Sequence, residues 1–178
     1  MTHPAVRGLM ELIPPPSSGG DEIDWDALAE LASSELPEDY RDFVAIYGGG
    51  EIDEYVAIAT PPVQESAYAT LLDGLGPALS EDDQPELESR LPGSSPARLW
   101  AFGSTASGDA IFWHCHGPAN EWRVVVWKRQ VLYDESRWEV FNGGMAEFLL
   151  AAFSGAIDPF SEYGLEAESH HYLSWRDV

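Results

Sequence analysis

The sequence predicts an α+β domain in which N-terminal helices pack on a mostly antiparallel sheet and a C-terminal helix closes the layer. Three observations predict it. Tyr40, Phe43, Val44 and Tyr47 recur at i, i+3, i+4 and i+7, the apolar stripe of an amphipathic helix. From Leu99 onward, the short runs 99–103, 110–115 and 122–128 are rich in aromatic and β-branched residues. Met145, Phe148, Leu149 and Ala152 then restore a helical period before Gly155.

The elements follow in order. Val6, Leu9, Met10, Leu12 and Ile13 predict a short helix that docks on the main body. Pro14–Pro16 extend the chain after it, and Ser17-Ser18-Gly19-Gly20 loosens it. Asp24 is placed to cap a helix starting at Trp25, with Leu28 and Leu31 or Ala32 inward. That helix stops by Leu36, because the ring of Pro37 disfavours a helical residue before it. Pro37 suits the first turn of the next helix, and Glu38 and Asp39 complement its positive end. Gly48-Gly49-Gly50 ends it, the first glycine suiting a left-handed cap.

Tyr55–Ala59 reads as a strand ended by Pro61-Pro62, and residues 64–74 predict a helix with Tyr68, Leu71 and Leu72 inward. Residues 76–98 carry Glu81-Asp82-Asp83, Glu86, Glu88 and four prolines, and predict an acidic surface loop. Ser107-Gly108-Asp109 and Gly117-Pro118-Ala119-Asn120 mark the turns of an antiparallel meander, to which Trp138–Phe141 adds a strand. The aromatic and acidic tail, with His170-His171 and Trp175, is expected to dock on the body. The predicted division is an extension and linker at 1–20, a domain at 21–155 and a tail at 156–178.

Charge restricts function. The 178 residues hold 31 acidic and 9 basic side chains, a formal net charge of −22. Residues 1–90 contribute −17 and residues 91–178 contribute −5. Phosphate neutralisation needs lysine and arginine, so nucleic acid is excluded as a partner; an anionic membrane surface is excluded for the same reason. No stretch approaches the ~18 apolar residues of a membrane span, and Met1–Pro16 has no basic, then apolar, signal pattern. With one cysteine, Cys115, no internal disulfide forms; the expected location is the cytoplasm. A field of this strength attracts a basic partner and speeds its association.

No catalytic constellation rises above this acidic background. His114 and His116 share one face of a strand, but two ligands do not make a metal site. Completing one would require His170, His171 or an acidic residue, and the spacing imposes none of these. Cys115 points away from both histidines and behaves as a small apolar residue, since a nucleophile must touch its base. Gly48-Gly49-Gly50 lacks the lysine and the following helix of a phosphate-binding loop. No cofactor is expected. The candidate partner-facing residues are Glu51, Asp53 and Glu54 after the glycine turn, Glu81, Asp82 and Asp83 in the acidic loop, and Asp109, with Trp113 and Trp122 as aromatic anchors exposed on the sheet.

Trp25, the run Leu36-Pro37-Glu38-Asp39-Tyr40-Arg41-Asp42-Phe43 and Tyr47-Gly48-Gly49-Gly50-Glu51-Ile52 resemble the opening of the SUKH superfamily. Phe102-Gly103, Gly108–Trp113, Val124–Val126 and Met145–Leu149 resemble its later hairpin, strand and helix, in the right order. The resemblance covers about residues 24–155; residues 1–20, 76–98 and those after 155 have no counterpart in it. It implies a non-enzymatic protein. Bacterial members are regarded as immunity proteins that neutralise polymorphic toxins, many of them nucleases or deaminases, by binding. Fungal members of the Smi/Knr type regulate cell-wall assembly, which gives the alternative of a regulatory or scaffold module.

Overall fold

Helix boundaries fall where the local chemistry puts them. The computed structural model describes residues 1–74, 83–94, 96–161 and 169–178. Helix α1 (Pro4–Leu12) starts on a proline and buries Ala5, Val6 and Leu9. Helix α2 (Trp25–Ala32) is capped by Asp24, whose Oδ1 accepts from Ala27 N at 3.0 Å. Helix α3 (Glu38–Tyr47) buries the whole Tyr40, Phe43, Val44 and Tyr47 stripe, with Pro37 one place before its first turn. Gly48 ends it at φ +68° and ψ −163°, so the glycine does need positive φ, although its ψ is not that of the left-handed helix.

Two short strands, β1 (Gly50–Ile52) and β2 (Val56–Ile58), follow at once. Residues 64–74 form turns and a single 3₁₀ turn at Leu71–Gly74 instead of the predicted α-helix. The cause is a competing set of backbone bonds. Thr60 N donates to Tyr68 O at 2.8 Å and Leu71 N to Thr60 O at 3.0 Å, while Glu65 takes φ +70°. Leu71 is buried as expected, and Tyr68 and Leu72 are half-buried.

The expected acidic loop contains a helix, α4 (Asp83–Arg90). Leu87 and Leu91, at i and i+4, both bury, and Pro85 falls in the first turn, where it costs least. Strands β3 (Leu99–Thr105), β4 (Ala110–His114), β5 (Arg123–Trp127) and β6 (Trp138–Phe141) form the predicted meander. Helix α5 (Met145–Phe153) follows, but it is not the closing element: strand β7 (Tyr172–Ser174) and a 3₁₀ turn at Trp175–Asp177 come after it. An unpaired β1 would present open backbone groups at the sheet edge, and β7 pairs with them.

The seven strands of the described residues make one antiparallel sheet in the order β6-β5-β4-β3-β2-β1-β7. Period-two alternation builds a core on each face. Ile52, Val56, Ile58, Phe102, Ile111, Trp113, Val124 and Val126 pack with the residues of α1, α2, α3 and α5. On the other face Leu99, Phe112, Val125 and Trp138 pack with Leu87 and Leu91 of the α4 segment. Asp39 ties two helices together: from α3, its Oδ2 accepts from Ala146 N in the first turn of α5 at 2.8 Å. Burial raises its carboxyl above the ordinary carboxylate value, against the lowering effect of its backbone bonds.

Candidate functional site

Glu51, Asp53 and Glu54 come together at the β1–β2 turn. Tyr55 N closes the turn on Ile52 O at 3.0 Å, and Asp53 and Glu54 both take φ +54°. Positive φ at two consecutive residues is common in hairpin turns but is normally assigned to Asn or Gly, so a glutamate there is strained. Its side chain is exposed. Glu51 is half-buried, and its Oε1 accepts from Tyr68 OH at 2.7 Å. Burial and that carboxylate push the Tyr68 phenol up to about 12.

Asp53 is already occupied by the tail. Its Oδ2 lies 2.6 Å from His170 Nδ1; its Oδ1 accepts from His171 N at 2.9 Å and lies 3.1 Å from His171 Nδ1. The sequence reading of Asp53 as partner-facing therefore competes with a structural role, since its carboxylate clasps the C-terminal segment.

A second clasp, absent from the sequence reading, is Asp21. Its side chain is fully buried and accepts from Gly49 N at 2.9 Å, Trp175 Nε1 at 3.1 Å and Arg176 Nη2 at 2.7 Å. It joins the linker, the glycine turn and the C-terminus. Glycine is required at position 50 by close approach: a Cβ there would stand 2.2 Å from Leu173 O of β7. Residues 170–176 lie against β1, the linker and α3. Tyr172 OH donates to Gly48 O at 2.7 Å, and its ring meets those of Phe43 and Tyr47 at 5.9 and 5.0 Å.

The other candidates separate. Asp83 begins α4, which packs on β6, whereas Glu51 lies on β1, five strands from β6 in the sheet. At ~4.8 Å per strand, β1 and β6 are about 24 Å apart, so Asp83 and Glu51 do not form one patch. Glu81 and Asp82 lie outside the described residues.

Asp109 is 1% exposed and accepts from Arg129 N and Ser161 N, both at 2.9 Å, and from the Ser161 hydroxyl. It fastens the β3–β4 turn to two loops and presents nothing to a partner. Trp113 and Trp122, expected as exposed anchors, are 0% and 5% exposed. Both rings fall on the helix-covered face; Trp113 meets Tyr40 at 4.8 Å and Phe102 at 4.5 Å.

The exposed apolar side chains are elsewhere. Leu132 and Tyr133, in the β5–β6 connection, are 69% and 107% exposed, and sequence reasoning missed them. The available signal was a Val-Leu-Tyr run interrupting a polar turn.

His114 and His116 do share a face, with rings stacked 5.7 Å apart. The second histidine pair sits beyond β1, four strands from β4, and does not join them. Among the described residues no group of three His, Cys, Asp or Glu is placed to hold a metal. Cys115 is half-buried, and burial pushes its thiol up to about 12 although Arg98 acts in the opposite sense. No helix among the described residues is long and apolar enough to cross a membrane.

Comparison with known proteins agrees with the motif order. No curated protein and no solved structure matched the chain. The profile of the SMI1 / KNR4 family (SUKH-1) matches residues 19–151, from the linker through α5. The chain, with its capped Trp25 helix, its Tyr40–Tyr47 stripe and its glycine turn into an antiparallel meander, belongs to the SMI1 / KNR4 family (SUKH-1).

Proposed function

We propose that this chain is a non-enzymatic cytoplasmic immunity protein that neutralises a basic, nuclease-type toxin by direct binding. The observation that carries the reading is the net charge of −22 on a SUKH-1 domain. A nuclease surface must be basic to hold phosphate, and an acidic inhibitor matches it electrostatically. Such a match gives fast association that weakens as salt screens it.

Glu51 in β1 and Glu54 on the strained β1–β2 turn are the proposed contact residues, with Asp83 at the start of α4 as a second, separate contact. Leu132 and Tyr133 add exposed apolar area of the kind that anchors interfaces. Co-expression with the product of the adjacent reading frame tests the reading. Rescue of that protein's toxicity, with co-purification of the two chains, is the expected result; toxicity unchanged and no complex refutes it.

A Smi/Knr-type regulatory role is the second reading, favoured because the matching profile is that of the SMI1 / KNR4 branch. Recovery of housekeeping proteins and no toxin in a pull-down from the native host selects it.

A further inference from the structure

The C-terminal strand is held by a ring whose two nitrogens both face acceptors. His170 Nδ1 lies 2.6 Å from Asp53 Oδ2, and Nε2 lies 2.9 Å from the Phe153 carbonyl oxygen. A carbonyl oxygen and an ionised carboxylate only accept, so both contacts are hydrogen bonds only when both nitrogens carry protons. That form is the imidazolium. A neutral ring serves one acceptor and turns a lone pair on the other, and a side chain only 2% exposed leaves no room for water to replace the lost bond.

The surroundings suit a cation. Asp53 comes from the β1–β2 turn, and His171 comes from the same segment as His170. Helix α5 contributes no titratable group here. It presents the carbonyl of its last residue, Phe153, the negative end of the helix dipole, and the Phe153 ring, edge-on at 5.2 Å.

We propose that docking of the C-terminal strand is proton-linked: protonated His170 clasps residues 169–178 to the β1 edge, and loss of that proton releases the strand from its N-terminal end. The far end behaves differently. Arg176, on Asp21, keeps its charge at any working pH, so the Trp175 side of the strand stays anchored. Release uncovers the backbone of Glu51, which pairs with Leu173, and the Phe43 and Tyr47 rings under Tyr172. The docked state binds the extra proton, so docking is favoured at low pH and weakens as pH rises.

The test is NMR on the full chain from pH 5.5 to 9, combining histidine ring ¹⁵N signals with amide exchange corrected for its intrinsic pH dependence. His170 should show two protonated nitrogens at low pH. As His170 loses its proton, protection of the Asp53 amide, which donates to His171 O, should fall by up to tenfold per pH unit, the slope for one proton, and then level off. Amides of the β4–β5 pairing should not follow it. His170→Gln should remove the slope and His171→Gln should keep it. Protection that stays flat while His170 titrates, or a slope that survives in His170→Gln, overturns the proposal. If His170→Gln does not fold, the wild-type titration decides alone.

Discussion

Replacing Asp21 by alanine removes the acceptor on which the linker, the glycine turn and the C-terminus converge. The contribution of each bond differs with burial. Gly49 N–H is buried and has no water to turn to, so losing its acceptor costs about 1–3 kcal/mol. Trp175 is half-buried and the Arg176 side chain is 30% exposed; water replaces much of their bonding, and each adds less than about 1 kcal/mol. Removing a fully buried carboxylate also relieves its own desolvation, which offsets part of the sum. The net expectation for Asp21→Ala is a loss of about 2 kcal/mol, or ~4–8 °C in the thermal midpoint of a chain this long. Arg176→Ala alone should lose less, about 1 kcal/mol, because the buried carboxylate it leaves keeps the Gly49 and Trp175 donors. Urea unfolding followed by near-ultraviolet circular dichroism measures both. Equal losses in the two variants would refute the reasoning, because the ion pair and not the Gly49 bond would then carry the energy. So would a negligible loss in Asp21→Ala.

Three further predictions follow from single environments. Glu54→Gly relieves a glutamate at φ +54° but loosens the unfolded chain, and should raise stability by about 0.5 kcal/mol while weakening partner binding; unchanged binding removes Glu54 from the interface. Cys115, with its thiol pushed up to about 12 by burial, should react with iodoacetamide at pH 8 at least ~100-fold more slowly than free cysteine, and at the full rate in denaturant. His114 is held below its ordinary value near 6.5 by burial first, then by His116 and Arg123. Its folded form resists the proton that the unfolded chain accepts, so its contribution is complete above pH 6.5 and is lost as pH falls below it. Urea midpoints compared at pH 7 and pH 5 should show a smaller acid loss in His114→Asn; an imidazole titrating at or above 6.5 contradicts the burial argument.

What the sequence made legible were the elements with a strong local period or cap. The α3 stripe, the Asp24 cap, the four meander strands and α5 all form, because in each the local preference and the tertiary burial point the same way. Residues 64–74 went the other way: their period suits a helix, but Thr60 offers their backbone a different partner. Strands β1 and β7 have three residues each, too few for alternation to register; β1 forms a hairpin with β2 and its free edge takes up β7. In the candidate site, composition located the acidic turn but could not show which carboxylates are spent inside the molecule. Asp53, Asp21 and Asp109 bind segments 118, 154 and 52 residues away, pairings that no local spacing encodes. Trp113 and Trp122 were misplaced for a related reason. Alternation shows that two faces exist, but not that helices cover both of them.

The central claim is that the negative field of this SUKH-1 domain recognises a basic protein. Titration calorimetry of the purified chain against the purified product of the adjacent reading frame, in low and in high sodium chloride, tests it most directly. The account predicts a stoichiometric complex whose dissociation constant rises at least ~10-fold between 50 and 500 mM salt, mainly through slower association. No heat of binding, or an affinity that salt leaves unchanged, would contradict it.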